Sequence, residues 1–223
     1  MFAHRREAAY LLVEELRKRK AEFDLVLGIP AGGMVLAEVI ATEFSCLLDV
    51  VTAKKIGHPL NPEVAIGAVT PDGEVLIAPE NLPVLGGEKE VARLGRKTSE
   101  LVKAVLSEYR KGKPQETIQG KNVLLVDDGI ATGLTMQAAI KYVRRQGAKT
   151  VGLAAPVSSA EALRILEPEL DYSIVLTVPR TFLAVGSHYR DFSPVSKEEV
   201  MRILAKHSKT GKTASDDFSH GKN

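Results

Sequence analysis

Five short runs of apolar residues, separated by helical patterns or glycine-rich turns, constrain the fold of this chain most strongly. None of the runs alternates apolar with polar residues, which is typical of strands that are buried on both faces. Strands alternating with helices in this way predict an α/β fold, an open and mostly parallel twisted sheet with helices on both faces. The predicted strands lie at 24–30, 46–53, 121–127, 149–155 and 171–177, and the predicted helices at 3–20, 32–44, 134–146, 159–167 and 196–207.

Two segments depart from this alternation. Residues 57–87 are rich in glycine and proline, and we expect them to form a mobile flap with short strands at 63–70 and 73–78. Residues 88–110 form a charged helical pattern. That pattern fits either a solvated helix face or an anion-binding surface.

Composition limits the classes of function. The chain has 223 residues and a formal net charge of +2, which gives no bulk attraction to nucleic acid or to an anionic membrane. Cys46 is the only cysteine and lies in an apolar stretch, so we expect a small buried hydrophobic residue there. We expect one domain over residues 1–206 and a disordered tail over 207–223. The chain shows neither a secretory signal nor an apolar span, so we expect a cytoplasmic protein.

The third run leads into the stretch VLLVDDGIATGLT, residues 123–135, which joins two carboxylates to a loop of small residues. Asp127 and Asp128 are expected at the carboxyl end of a strand, where open α/β sheets bind ligands. Backbone N–H groups of the loop, hydroxyl groups of its two threonines and the positive end of the next helix would converge on an anion. Carboxylates beside a phosphate cradle indicate a sugar phosphate, whose hydroxyl groups donate to them, or a bridging Mg²⁺.

This stretch resembles the phosphoribosyl pyrophosphate motif of the type I phosphoribosyltransferases, and the resemblance extends over most of residues 20–195. The resemblance implies Mg²⁺-dependent transfer of phosphoribose from phosphoribosyl pyrophosphate to a nitrogen acceptor, with release of pyrophosphate. The expected acceptor is a nucleobase. Asp127 and Asp128 would position the sugar hydroxyls. Mg²⁺ would be held mainly through the substrate, with these two carboxylates reached through water. The 5′-phosphate would bind to Gly129, Ile130, Ala131, Thr132, Gly133, Leu134 and Thr135.

Two earlier segments also match the family. The stretch GIPAGG resembles its pyrophosphate loop, in which Ala31, Gly32 and Gly33 would let the backbone approach the diphosphate. A strained or cis peptide bond is typical of the family at this place. The stretch KKIGHP resembles the basic pair of adenine-type members, so Lys54 and Lys55 would neutralise the leaving group. A solvated strand end is the other interpretation of these lysines.

The acceptor-binding segment of the family, its hood, corresponds to residues 179–193. Phe182 and Tyr189 would stack on a planar acceptor, unless the aromatic residues of the hood merely cover the sheet edge. His188 fits a structural role better than that of a base. Some purine-using members have an aspartate base where this chain has Ala131, so an adenine-like or uracil-like acceptor is favoured over a guanine-like one.

Two other functions stay open at this stage. A regulator on the same fold would bind a phosphoribosyl ligand without turnover. A phosphate-ester enzyme would use Asp127 and Asp128 as metal ligands, although the sequence offers no further ligands of the kind it would need. The expected partners are phosphoribosyl pyrophosphate and an unidentified acceptor, without nucleic acid or membrane, and a homodimer is left open.

Overall fold

The computed structural model describes the backbone of residues 1–210 and the side chains of residues 1–61 and 64–207. Six helices and eight strands follow one another in these residues. The helices are α1 (Arg5–Lys18), α2 (Gly32–Phe44), α3 (Glu88–Tyr109), α4 (Leu134–Arg145), α5 (Ala160–Leu166) and α6 (Lys197–Thr210). The strands are β1 (Leu25–Gly28), β2 (Leu47–Val50), β3 (Lys54–His58), β4 (Asn61–Val69), β5 (Val75–Ile77), β6 (Asn122–Val126), β7 (Thr150–Val157) and β8 (Tyr172–Thr177).

The main sheet has five parallel strands in the order β2-β1-β6-β7-β8, which confirms the predicted fold class. Gly28, the last residue of β1, lies opposite Val50 of β2 and Val126 of β6. The carboxyl ends of these three strands are therefore level. From β1 the chain continues to β2 on one side of the sheet, whereas β6 pairs with β1 on the other side. The strand order therefore reverses between β1 and β6. Open α/β sheets bind ligands at such a point.

Helices cover both faces of this sheet, which explains the continuous apolar runs. In β6, Leu124 and Val126 pack on one face with α1, α2 and α6. Their neighbours Val123 and Leu125 pack on the other face with α4 and α5. Alternate residues of a strand point to opposite faces, so a strand covered on both sides needs apolar residues at every position.

The flap contains a second, antiparallel sheet of three strands in the order β3-β4-β5. Strands β4 and β5 fall close to the positions predicted for them, whereas β3 was not predicted. Arg145 of α4 holds the turn between β4 and β5, because its Nε lies 2.9 Å from Asp72 Oδ2. The other end of the flap is open to solvent, since Leu60 is 90% exposed.

Helix α3 is amphipathic. Val91, Val102 and Leu106 are buried along one face, and its Arg and Lys residues lie on the exposed face, as expected for a solvated surface. Just beyond its end, Arg110 forms a buried ion pair with Asp49 of β2, with 2.7 Å between Nε and Oδ1.

The last helix runs further than predicted. The sequence pattern ends it at residue 207, but α6 continues to Thr210, so the predicted tail begins too early. Ser196 caps this helix, since its hydroxyl oxygen accepts a hydrogen bond of 3.1 Å from the Glu199 N–H. The rest of the predicted disordered tail, 211–223, lies outside the described residues. Within residues 1–210, no helix is both long and apolar enough to cross a bilayer.

Candidate active site

Two loops that are distant in the sequence meet at the carboxyl ends of β1 and β6. The peptide bond between Pro30 and Ala31 is cis, as the resemblance implied for this loop. A Cβ at Gly33 would lie 2.7 Å from the Val126 carbonyl oxygen, and a Cβ at Gly32 would overlap Asp128 Oδ2. Only glycine allows this approach, so the predicted pyrophosphate loop lies directly against the predicted carboxylate pair.

Asp127 is partly buried, and its surroundings disfavour the ionised form of its carboxyl group. Its Oδ1 accepts a hydrogen bond of 2.8 Å from the Asp128 N–H. Burial, followed by the negative charge of Asp128, raises the pKa of Asp127 well above its ordinary value, while the charge of Lys55 acts in the opposite direction. A ligand that brings hydroxyl donors or a cation would therefore stabilise the ionised form of Asp127.

Asp128 is held by a residue that the sequence analysis missed. The Nε atom of Arg5 lies 2.7 Å from Asp128 Oδ2, and the two side chains are only 11% and 14% exposed. The sequence did contain a signal. Arg5 and Arg6 lie in the first turn of α1, where the positive end of the helix dipole disfavours cations, so both arginines needed partners elsewhere.

The predicted 5′-phosphate loop is fixed by the neighbouring strand and helix. The Ile130 N–H donates to the Val157 carbonyl oxygen at 2.9 Å, and the Ser159 hydroxyl donates to the Ala131 carbonyl oxygen at 2.6 Å. Gly133 has φ +77° and precedes α4, whose first turn has no side-chain cap. The unpaired N–H groups at the start of α4 can therefore bind an anion.

The other residues of this loop have different roles. The side chain of Ile130 is buried in the core, and Leu134 packs against Ala68 and Leu76 of the flap, so only their backbone groups can face a phosphate. A Cβ at Gly129 would overlap Val185 of the hood, so this glycine lets the hood approach. Thr132 is exposed and Thr135 partly exposed, and their phosphate-binding role stays a prediction.

The two lysines of β3 differ in their relation to the carboxylates. Lys54 and Lys55 are both exposed and lie opposite Val69 and Ala68 of β4. Neighbouring residues of a strand point to opposite faces, and the charge of Lys55 is a smaller influence that opposes the raised pKa of Asp127. The charge of Lys55 therefore reaches Asp127, and strand alternation puts Lys54 on the other face of β3.

The hood is a loop that the N-terminal segment ties to the site. The Phe2 N–H donates to the His188 carbonyl oxygen, and the Arg190 N–H donates to the Phe2 carbonyl oxygen, both at 2.8 Å. Tyr189 is only 5% exposed, and its hydroxyl donates to the Asp128 carbonyl oxygen at 2.6 Å. Because its ring is buried, Tyr189 cannot stack on an acceptor in this conformation, and its expected role is revised to support of the acid pair.

Phe182 keeps a partly exposed ring. It stacks on His188, with ring centroids 5.6 Å apart and an interplanar angle of 27°. The Nε2 atom of His188 is buried without a hydrogen-bond partner among the described residues, so the structural role of His188 stays a prediction. Stacking of Phe182 on an acceptor stays a prediction.

The residues present fit the Mg²⁺ that the family implies. No group of three or more metal-ligating side chains occurs among the described residues. Two adjacent carboxylates fit an ion that keeps several waters and is bound largely through substrate phosphates.

Comparisons with known proteins agree with this arrangement. The model of the phosphoribosyl transferase domain family matches residues 2–165. The crystal structure of a protein from Thermus thermophilus, TT1426, is 38% identical in sequence, with a TM-score of 0.80 over 93% of this chain and 99% of that one.

Sequence relatives point the same way. A Mycobacterium tuberculosis protein described as a candidate phosphoribosyl transferase is 32% identical over 207 residues, covering 92% of this chain and 46% of the relative. The chain thus spans about half the length of that relative. An adenine phosphoribosyltransferase of Streptomyces galbus is 34% identical over 125 residues, covering 54% of this chain and 66% of the relative. The chain belongs to the phosphoribosyl transferase domain family.

Proposed function

We propose that this chain transfers phosphoribose from phosphoribosyl pyrophosphate to a nitrogen nucleophile, with Mg²⁺ bound and with release of pyrophosphate. One observation carries the proposal. Asp127 and Asp128 lie against the first residues of α2 and precede the loop that leads into α4, and neither helix has a side-chain cap or an acidic residue in its first turn. A ligand with an anion at each end and hydroxyl groups between them fits this order of charges.

Each part of the donor has a place in this arrangement. The 5′-phosphate would bind at the start of α4, and the diphosphate would bind at the loop that leads into α2. The sugar hydroxyls would donate to the carboxylates of Asp127 and Asp128, whose Oδ1 and Oδ2 atoms, respectively, already accept from the Asp128 N–H and from Arg5. The second oxygen of each carboxylate would accept from one of two neighbouring hydroxyl groups.

Catalysis would come mainly from positioning and charge. Displacement at C1 passes through a transition state with oxocarbenium character, which a fixed sugar and nearby carboxylates stabilise. Lys55 and the backbone N–H groups of the pyrophosphate loop would stabilise the leaving pyrophosphate. Mg²⁺, when bound, supplies further charge neutralisation. The flap sheet would limit the entry of water.

We infer a nucleobase of adenine-like or uracil-like type as the acceptor. Position 131 offers a backbone and a methyl group rather than a carboxylate, so the loop lacks the base that a guanine-like acceptor would need. Relatives that carry the names adenine phosphoribosyltransferase and uracil phosphoribosyltransferase support the same choice. Phe182 and Phe192 are hood residues with partly exposed rings.

Two measurements test the proposal. Calorimetry with phosphoribosyl pyrophosphate and Mg²⁺ should show binding, and the absence of binding would contradict the proposal. Pyrophosphate release should then be followed with adenine, uracil, guanine and an aliphatic amine. Turnover with adenine or uracil supports the enzyme.

The buried ring of Tyr189 favours the regulator as a second candidate. It leaves less aromatic surface in the hood on which an acceptor could stack. Donor binding without turnover on any acceptor would support that candidate. A phosphate-ester enzyme is less well supported, since Arg5 occupies one oxygen of Asp128 and no third metal ligand lies with the pair among the described residues.

A further inference from the structure

The guanidinium group of Arg5 contacts two separate parts of the candidate active site. Its Nε atom donates to Asp128 Oδ2 at 2.7 Å, and its Nη1 atom donates to the Ser193 carbonyl oxygen at 2.8 Å. Its Cζ atom lies 3.9 Å from the ring centroid of Phe192. One nearly buried side chain from the N-terminal helix therefore joins the acid pair to the hood.

The same ion pair also supports the predicted pyrophosphate loop. A Cβ at Gly32 would overlap Asp128 Oδ2 and would lie 2.8 Å from Arg5 Nε. The backbone at Gly32 thus rests directly on the ion pair. Displacing either charged group would leave a gap beneath this loop, because a close-packed contact is lost when one partner moves.

We propose that Arg5 is a positioning residue for donor binding. It fixes the Asp128 carboxylate and holds the hood and the pyrophosphate loop in place against that carboxylate. The inference rests on the proposed function, because it concerns the same site. Arg5 binds Oδ2 of Asp128 and thereby fixes the orientation of the carboxylate that a sugar hydroxyl would approach. The positive charge of Arg5 also offsets the repulsion between the carboxylates of Asp127 and Asp128, both of which the donor would contact.

The contacts of Arg5 require a guanidinium group. A planar fork can donate to a carboxylate and a carbonyl oxygen while its face stacks on an aromatic ring. A lysine ammonium group at this position keeps the charge, but it cannot make the stacked contact with Phe192 and both hydrogen bonds in the same geometry. Arg5→Lys should therefore restore function only in part.

Arg6 offers a matched control on the same turn of α1. Its Nη2 atom lies 2.8 Å from Glu38 Oε2, and its side chain is 47% exposed. Lys206 also pairs with Glu38, at 3.1 Å, so this carboxylate keeps a partner when Arg6 is replaced. Arg6→Gln removes the same charge from the same helix without touching the acid pair.

The experiment compares wild type, Arg5→Gln, Arg5→Lys and Arg6→Gln. Calorimetry measures the Kd for phosphoribosyl pyrophosphate with Mg²⁺, and amide hydrogen exchange without ligand follows residues 188–193. We expect the Kd to rise about tenfold or more in Arg5→Gln, less in Arg5→Lys, and to stay at the wild-type value in Arg6→Gln. Exchange at 188–193 should become faster in Arg5→Gln and stay unchanged in Arg6→Gln.

The outcomes separate the two proposals. A wild type that does not bind the donor contradicts the proposed function and removes the basis of this inference with it. A wild type that binds, together with an Arg5→Gln variant that binds as tightly as Arg6→Gln, overturns only the role of Arg5. If Arg5→Gln does not fold, Arg5→Lys decides: a Kd and exchange rates equal to those of wild type overturn the proposal, and a raised Kd supports it.

Discussion

The hydroxyl group of Tyr189 donates a hydrogen bond of 2.6 Å to the backbone carbonyl oxygen of Asp128. The ring of this tyrosine packs between Phe2 and Phe192, with centroid distances of 5.4 and 5.1 Å. The N-terminal segment, the hood and the acid pair therefore meet at one residue. A change at Tyr189 should reach the acid pair without altering any group that contacts a ligand.

Tyr189→Phe removes this donor and keeps the ring. We expect the free energy of unfolding to fall by about 1–3 kcal/mol, since a buried carbonyl oxygen loses its partner, and the Kd for the donor to rise. Tyr142→Phe is the control, because Tyr142 is also buried and donates to Gln115 Oε1 at 3.1 Å. Urea denaturation and calorimetry of both variants test this. Equal donor affinities in the two would contradict a link between Tyr189 and the acid pair.

Asp127→Asn should stabilise the fold while it weakens donor binding. The pKa of Asp127 is raised in the folded protein, so ionisation costs stability as the pH rises above the ordinary value of this group. Asparagine removes that cost and can still accept from the Asp128 N–H. Unfolding measured without donor and Mg²⁺ should show a gain near pH 7 that vanishes near pH 3. A loss of stability near pH 7 would contradict the assigned environment.

Gly133→Ala tests the phosphate loop. Alanine at φ +77° is strained by about 1 kcal/mol, and its Cβ would lie 3.2 Å from Ala162 Cβ. Gly112→Ala is the control, since Gly112 has φ +74° and nothing lies within 4 Å of its Cβ position. Calorimetry should show weaker donor binding in Gly133→Ala only.

Lys54→Gln and Lys55→Gln separate the two lysines of β3. Lys55 acts on Asp127 electrostatically and Lys54 points to the opposite face, so we expect a fall in kcat/KM of about tenfold for Lys55→Gln alone. Steady-state rates of pyrophosphate release measure this. Equal losses in the two variants would show that both lysines serve the leaving group.

Cys46 should be unreactive in the folded protein. Burial raises the pKa of its thiol to about 12, so the thiolate fraction at pH 8 is on the order of one part in ten thousand. Alkylation by iodoacetamide should be slow in the native state and fast in urea. Rapid native-state labelling would show that the thiol is accessible and ionised.

The sequence predicted the elements of the main sheet because their signals are local. Continuous apolar runs mark strands that are covered on both faces, and helical spacing marked α2 with the bounds 32–44 that the structure shows. Strand β3 was missed for the opposite reason. Lys54–His58 has few apolar residues, and it is a strand only because it pairs with β4.

The sequence by itself determined the fold class and the stretch at 123–135, because strand period, glycine and adjacent carboxylates are properties of neighbouring residues. Only the tertiary structure decided that Arg5 pairs with Asp128, that Tyr189 is buried rather than open to an acceptor, and that Lys55 rather than Lys54 acts on Asp127. Arg5 and Asp128 are 123 positions apart, and their contact depends on how α1 packs on the sheet. The local pattern shows that Arg5 needs a partner but not which one, since the contact arises from the packing of the whole core.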